Sequence, residues 1–189
     1  MDISKISIGE DAPNVVNAII ENPLGGVPVK YELDKDSGAM VVDRFLHTSM
    51  FYPGNYGFIP HTLSGDGDPV DIIAVGRTAV MPGAVIPLRP VGVLLMEDDG
   101  GVDEKIIAVP AIGLNSQFEN IDDIKDLPES LTKKISHFFE TYKDLEKGKW
   151  VKIQGFEGAA KAKEVIKNAI IKADGENMID FIENSKHLI

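Results

Sequence analysis

The chain has 189 residues, of which 43% are hydrophobic and 26% are charged, and its formal net charge is −11. These values predict one globular domain that buries roughly 70% of the surface of its unfolded chain. The negative charge disfavours nucleic acid as a partner, because it repels phosphate backbones, and it favours cations. The apolar runs are too short to span a membrane, so no membrane partner is expected. The lack of cysteine excludes disulfides and thiolate metal ligands and is compatible with a cytoplasmic location.

Short strand-like runs, separated by glycine and proline, fill the first half of the chain. In VPVKYEL at 27–33 apolar and polar residues alternate, so Lys30 and Glu32 are predicted to share one face of a strand. Further extended, β-branched runs are AMVVDRFL, DIIAVGR, AVIPLRPVGVLLM and EKIIAVPAIG. Together these runs predict a compact, twisted β-barrel or sandwich.

The period of the apolar residues becomes helical after Pro128. Apolar side chains recur at helical spacing as far as Leu145, and Gly148 can end this helix. A second helix is predicted over about 158–173, and the tail NMIDFIENSKHLI could add one short helix or a packing arm. No repeat, low-complexity linker or break in composition indicates a second domain.

The segment SGDGDPVDII at 64–73 places Asp66, Asp68 and Asp71 within six positions. Carboxylates this close raise one another's proton affinity unless they are fully solvated or neutralised by a cation. In an extended segment Asp66 and Asp68 point the same way, and Pro69 favours an extended Asp68, so the three carboxylates are predicted to converge.

A second acidic cluster, EDDGGVDEK at 97–105, supplies Asp98, Asp99 and Asp103 in a hairpin-like connection. Either cluster alone is more typical of a solvated turn, but the two together favour a cation site. An EF-hand loop starting at Asp66 fails, because Arg77 stands where the bidentate glutamate is needed. Oxygen ligands without cysteine or histidine clusters favour hard ions such as Mg²⁺ or Mn²⁺.

Basic and phenolic residues indicate that an anion accompanies the cations. Arg44 lies in the middle of the strand-like VVDRFL, which is an awkward place for a guanidinium unless it pairs with an anion or reaches the rim. Any one such residue is more often a core tyrosine or a surface lysine, so the hypothesis depends on the set. Its members are Lys30, Arg44, Tyr52, Tyr56, Tyr142 and Lys143.

Taken in order, these motifs resemble those of the soluble family I inorganic pyrophosphatases of the bacterial type. The most specific motif is DGDPVD at 66–71, which fixes three carboxylates, a proline and an apolar position. Other stretches that match in type and order are VKYE, VDRF, MFYPGNYGFIPHT, RPVGVL and HFFETYKDLEKGKW. The resemblance runs from about residue 10 to 160, within a single domain over 1–189 whose last residues, about 176–189, form a C-terminal extension.

The resemblance implies a five-stranded, OB-like β-barrel, mainly β with α, flanked by two main helices and a short C-terminal segment. It also implies hydrolysis of pyrophosphate to two orthophosphates by metal-activated water, with several Mg²⁺ ions per subunit and Mn²⁺ or Zn²⁺ as possible substitutes. A cytoplasmic homohexamer is the expected assembly. Phe58 and Thr141 depart from the tyrosine and histidine that are frequent in bacterial relatives.

Site residues follow from the same resemblance, position by position. The implied metal ligands are Glu32, Asp66, Asp71, Asp98 and Asp103, with Asp71 bridging two ions and Glu32 acting through water. Asp68 corresponds to the general base beside the nucleophilic water, and Lys30, Arg44 and Tyr56 are implied to share in catalysis. The implied substrate-binding residues are Lys30, Arg44, Tyr56, Lys105, Tyr142 and Lys143. The supporting polar residues are Glu21, Tyr52 and Asp99.

Two other hypotheses stay open at this stage. A metal-dependent hydrolase of nucleotide or polyphosphate anhydrides would share the ion chemistry, although the chain has no loop of the GxxxxGK[ST] type. A noncatalytic acidic β-barrel that buffers metal or binds a partner would explain the charge. It would leave Lys30, Arg44 and the pair Tyr142-Lys143 without a common purpose.

Overall fold

A computed structural model describes the backbone of residues 1–185 and the side chains of residues 1–175. The strands are β1 (Val16–Asn22), β2 (Val29–Leu33), β3 (Met40–Phe45), β4 (Asn55–Phe58), β5 (Asp71–Ala74), β6 (Val85–Asp98), β7 (Gly101–Val102), β8 (Lys105–Pro110) and β9 (Val151–Gly158). The α-helices are α1 (Glu129–Thr141) and α2 (Ala159–Ser185). Short 3₁₀ turns lie at Ile3–Lys5, Ser116–Phe118 and Ile124–Asp126.

Five of these strands close into a ring in the order β1, β4, β5, β8 and β6. The ring is closed by pairing between β1 and the beginning of β6, where Val16 lies opposite Leu88. The strands β5 and β8 run parallel, and the other neighbours in the ring are antiparallel. The strand β6 extends beyond the ring, and its end pairs with β7 and β9. The five-stranded, OB-like barrel implied by the sequence resemblance is therefore confirmed.

The predicted strand VPVKYEL does not enter the ring. Its residues form β2, which pairs only with β3 in a separate two-stranded antiparallel sheet. Two side chains of β1 fasten this hairpin to the barrel. The amide of Asn22 exchanges hydrogen bonds with the backbone of Tyr31, and the Glu21 carboxyl accepts one from the Leu33 N–H at 2.8 Å. The hairpin is consequently held over one end of the ring.

The helices cover the barrel with different kinds of side chain. The buried residues of α1 are Ile135, Phe138 and Phe139, and burial of each such side chain stabilises the fold by about 1.5–3 kcal/mol. The buried face of α2 includes the small residues Ala162 and Ala169, which let this helix approach the barrel closely. Both helices were predicted, and both pack on the strands as expected for a flanked barrel.

The predicted C-terminal ends of both helices are wrong, whereas their starts, after Pro128 and near residue 158, agree with the structure. The helix α1 stops at Thr141, because the following residues make i to i+3 turn bonds, such as that from the Glu146 N–H to the Lys143 carbonyl at 2.8 Å. The helix α2 continues through Ser185 without the predicted break near 173. Gly175 costs a helix only about 1 kcal/mol, and no proline follows it. The prediction for the tail falls partly on residues 186–189, which lie outside the described part of the chain.

Neither α1 nor α2, over the residues described, has the combination of length and apolar character that a membrane-crossing helix needs.

Candidate active site

A polar cavity of about 230 Å³ opens at one end of the barrel, between the β2–β3 hairpin and the residues that follow α1. The loop before β5, the end of β6 and the start of β8 all reach it. Every predicted site residue lines this cavity except Tyr52 and Asp99. The additional lining residues are Leu33, Lys35, Phe58 and Pro69. The structure therefore brings together side chains that are up to 122 positions apart in the sequence, from Glu21 to Lys143.

Lys105 forms the floor of the cavity, and it is only 3% exposed. Its position follows from strand register, because Asp71 and Lys105 are partners on the parallel strands β5 and β8. The ammonium donates hydrogen bonds to both Asp71 and Asp103. Burial disfavours the charged ammonium, but the two carboxylates outweigh burial and hold the pKa of Lys105 above its ordinary value. Burial also raises the pKa of Asp103.

A second buried ion pair lies on the α1 side of the cavity. The Lys143 ammonium donates to the Asp98 carboxylate at 2.6 Å, and both side chains are only 11% exposed. Burial alone would raise the pKa of Asp98, but the hydrogen bonds from Lys143 and from the Gly100 N–H, together with the charge of Lys143, lower it. Asp99 lies farther out, 3.9 Å from Lys143, and it contacts Lys149 at the surface.

Two supporting residues are buried beside the cavity. Glu21 is nearly buried at the end of β1, and burial raises the pKa of its carboxyl to about 7. Tyr52 belongs to the core, where its ring centroid lies 4.9 Å from that of Phe138 and 5.4 Å from that of Tyr56. Burial raises the pKa of the Tyr56 hydroxyl well above its ordinary value, so this hydroxyl is a hydrogen-bond donor at neutral pH.

The β2–β3 hairpin supplies the cations of the opposite wall. Lys30 lies opposite Arg44 across the two strands and contacts Glu32 on its own strand, as the alternation predicted. Asp43 lies 3.2 Å from the Lys30 ammonium and 3.3 Å from the Arg44 guanidinium. The Arg44 Nε atom lies 3.3 Å from Glu146, which is in the turn after α1. The carboxylates that neutralise Lys30 and Arg44 therefore come from the hairpin itself and from the turn after α1.

The loop that carries Asp66 and Asp68 has a different conformation from the predicted one. It is a turn rather than an extended segment, because Gly67 has a φ of +93° and the Asp68 N–H donates to the Asp66 carboxylate at 3.0 Å. The two carboxylates therefore do not project side by side as the strand periodicity suggested. The Asp68 side chain is 70% exposed and contacts Lys35.

Sequence reasoning missed Lys35, Asp43 and Glu146. Asp43 carried a signal, because it precedes Arg44 within a strand-like run where two adjacent charges are unusual. Glu146 lies within the KDLEKGKW motif but was given no role, since the turn that aims it at Arg44 was predicted to be helix. Lys35 lies in the polar β2–β3 turn and has no distinguishing sequence feature.

The cavity suits divalent cations in its chemistry, although no set of three Asp, Glu or His side chains in the described residues is already gathered around one point. Most carboxylates at the cavity contact lysines instead, while Glu21 and Asp66 accept backbone N–H groups. The pairs with lysine are Lys30–Glu32, Lys35–Asp68, Lys105–Asp71, Lys105–Asp103 and Lys143–Asp98. Carboxylate oxygens around a small water-accessible space are the ligands that Mg²⁺ prefers, so the donor set fits such an ion once the lysines turn aside.

Comparison with known proteins identifies the family. The inorganic pyrophosphatase family profile matches residues 18–174, a range that includes every predicted site residue. The chain belongs to the family I inorganic pyrophosphatases. The inorganic pyrophosphatase of Mesorhizobium japonicum is 56% identical over 173 residues, which cover 92% of this chain and 98% of that protein. That of Caulobacter vibrioides is 58% identical over 170 residues, or 90% of this chain and 96% of that protein.

The fold comparison agrees with the family assignment. The crystal structure of the inorganic pyrophosphatase from Thermus thermophilus aligns with a TM-score of 0.87 at 44% identity, covering 92% of this chain and 99% of that chain. Family I inorganic pyrophosphatases are metal-dependent enzymes. Family membership therefore agrees with the cation site that the two acidic clusters predicted.

Proposed function

We propose that this chain hydrolyses inorganic pyrophosphate to two orthophosphates, with Mg²⁺ as the activating ion and Mn²⁺ or Zn²⁺ as possible substitutes. The observation that carries the proposal is the pairing of Lys105 with Asp71 and Asp103 at the floor of the cavity. A pyrophosphatase of this family needs carboxylates that bind its metal ions and cationic side chains that bind the substrate's phosphates, and both must lie in the same small space. The buried ion pairs provide both signs of charge there.

The cations of the cavity bind the two phosphoryl groups. Arg44 offers a planar fork of N–H donors that suits phosphate oxygens, while Lys30, Lys105 and Lys143 act as point charges. Tyr56 and Tyr142 line the same cavity, and their hydroxyls donate hydrogen bonds to phosphate oxygens. These groups take up the negative charge that develops on the leaving phosphate, which is where electrostatic stabilisation lowers the barrier most.

The carboxylates would hold the metal ions. The proposed ligands are Glu32, Asp66, Asp71, Asp98 and Asp103. When bound, the ions neutralise phosphate charge and lower the pKa of a water molecule. In the structure, lysines neutralise four of these carboxylates, and Asp66 instead accepts a hydrogen bond from the Asp68 N–H. With substrate and metal bound, each of these lysines could turn from its carboxylate to a phosphate oxygen.

Asp68 is the proposed general base. Its carboxylate is exposed to the cavity mouth, where it can accept a proton from the attacking water and pass it to solvent. Lys35, which contacts Asp68, would have to move aside for this transfer. Glu21, Tyr52 and Asp99 are proposed to support the site from outside the reacting centre. The homohexamer, the single domain over 1–189 and the cytoplasmic location are proposed from the family resemblance alone.

The direct test measures phosphate release from pyrophosphate and from ATP, each with and without Mg²⁺. We expect strictly Mg²⁺-dependent release from pyrophosphate and little from ATP, because the cavity of about 230 Å³ is small and is lined mainly by charged side chains, which suit two phosphates better than a nucleobase. Equal turnover of both substrates would reject pyrophosphate specificity. Metal binding without phosphate release under any of the three ions would favour the noncatalytic alternative.

A further inference from the structure

The loop over residues 63–70, here called the aspartate loop, is fixed at its base and poorly supported at its tip. At the base the Thr62 hydroxyl donates to the Ile59 carbonyl at 2.6 Å and accepts from the Val70 N–H at 2.9 Å. At the tip, a Cβ placed on Gly67 would have no described atom within 4 Å. Side-chain packing therefore does little to hold Asp66 and Asp68 in place.

The helix α2 supports the first residues of the loop through two hydrogen bonds. The Leu63 N–H donates to the Ala169 carbonyl at 3.1 Å, and the Lys172 ammonium donates to the Ser64 carbonyl. The Ser64 N–H in turn donates to the Asp68 carbonyl at 2.7 Å. A continuous path of hydrogen bonds thus joins Lys172 to the backbone of Asp68.

A second cavity, of about 220 Å³, separates the aspartate loop from α2. Its walls include Gly65 and Val70 from the loop, and Val165 and Lys172 from the helix. Val70, at the end of the loop, packs in one core cluster with Val165 of α2. Open space lies between the helix and the part of the loop at Ser64 and Gly65, which the helix reaches through the Lys172 hydrogen bond.

We propose that Lys172 is a positioning residue that sets the metal affinity of the aspartate loop. This inference rests on the proposed function, in which Asp66 is a metal ligand and Asp68 the base. Without the Lys172 donor, the turn at 64–68 samples more conformations, and metal binding must then restrict it at a cost in conformational entropy. The chemical step at saturating metal is unaffected, since Lys172 touches neither substrate nor reacting atoms.

The test compares Lys172→Met with the matched control Lys167→Met. Both variants remove one positive charge from an exposed position of α2, but Lys167 does not line the second cavity. We expect Lys172→Met to raise the Mg²⁺ concentration for half-maximal activity by about 3- to 10-fold, the equivalent of one net hydrogen bond. Its kcat at saturating Mg²⁺ should stay within about twofold of the wild type, and Lys167→Met should match the wild type in both.

A direct measurement of metal binding, which needs no turnover, complements the kinetic assay. Calorimetric titration of Mn²⁺ into each protein, without pyrophosphate, should show the same weakening for Lys172→Met alone. Lys172→Arg keeps a donor at the end of a long side chain and should restore the wild-type affinity. Thermal unfolding of all variants should occur within a few degrees of the wild type, because position 172 is exposed.

Two outcomes would overturn the inference. One is equal metal affinity for Lys172→Met and Lys167→Met in both assays, and the other is a fall in kcat at saturating Mg²⁺ with unchanged metal affinity. Failure of the proposed function is distinguishable, because a wild-type protein without pyrophosphatase activity still allows the calorimetric comparison between the two variants.

Discussion

The active-site cavity has a buried side and an exposed side, and they hold their charges differently. On the buried side, Lys105 and Lys143 are nearly inaccessible and contact carboxylates at the ends of β5, β6 and β8. On the exposed side, Asp68 and Lys35 lie on turns, with side chains 70% and 46% exposed. Strand register fixes the positions of the buried ion pairs. The exposed pair is positioned by local turns, and solvent screens the attraction between its charges.

Because of this difference in burial, substitutions on the two sides should differ in their effect on folding stability. Removal of one member of a buried ion pair leaves an uncompensated charge and costs several kcal/mol of folding free energy. Removal of a member of an exposed pair costs less than about 1 kcal/mol. Substitutions on the buried side should therefore damage the fold and the function together, while those on the exposed side can alter catalysis alone.

The largest effect is expected for Asp68→Asn, on the exposed side. The change removes the proposed base but keeps the shape of the side chain, so the rate should fall by roughly 10² to 10⁴. Thermal unfolding should be unchanged, because the exposed pair with Lys35 contributes little. Steady-state phosphate release together with a melting curve checks both expectations. A rate within a few-fold of the wild type would exclude Asp68 as the base.

The next effect tests the buried side. Lys105→Met should lower the free energy of unfolding by about 3–5 kcal/mol without metal, because Asp71 and Asp103 then face each other without a cation. Added Mg²⁺ should recover part of the loss by replacing the missing charge. Urea unfolding measures the change, with Lys35→Met as the exposed control at under about 1 kcal/mol. Similar losses for the two variants would remove the distinction between the two sides.

A smaller, pH-dependent effect is expected at Glu21. Its carboxyl has a pKa raised to about 7 in the folded protein, against an ordinary 4.5. Because the folded state holds this proton more tightly, the stabilisation is complete below about pH 4.5 and is lost as the pH rises through about 7. Glu21→Gln should remove that loss, which is on the order of 2–3 kcal/mol. Urea unfolding at pH 5 and pH 8 checks it, and an unchanged pH slope in the variant would contradict the prediction.

Sequence alone predicted the elements whose signal is local. The alternation in VPVKYEL placed Lys30 and Glu32 on one face, and the apolar spacing after Pro128 predicted α1. Ring closure between β1 and β6, and the register that sets Lys105 beside Asp71, depend on pairing between distant segments, which periodicity does not encode.

Other errors came from single residues with strong local effects. Gly67 turns the aspartate loop, so the extended geometry inferred for Asp66 and Asp68 was wrong. The segment NYGF lies in none of the strand-like runs recognised from the sequence, yet it forms β4, whose Tyr56 lines the cavity. Pairing with β1 and β5 on both sides outweighs the low strand propensity of asparagine and glycine there.

One set of oxygen ligands is proposed both to bind the metal and to support the chemistry, and Ca²⁺ can separate these two roles. Carboxylates cannot exclude Ca²⁺, but its bonds of about 2.3–2.6 Å exceed the roughly 2.0–2.1 Å of Mg²⁺, and it polarises water less. The measurement titrates Ca²⁺ into enzyme at fixed Mg²⁺ and pyrophosphate, follows phosphate release, and corrects for pyrophosphate lost to calcium complexes. We predict that Ca²⁺ binds and inhibits. Activity that holds or rises while calorimetry shows Ca²⁺ bound at the site would contradict the account.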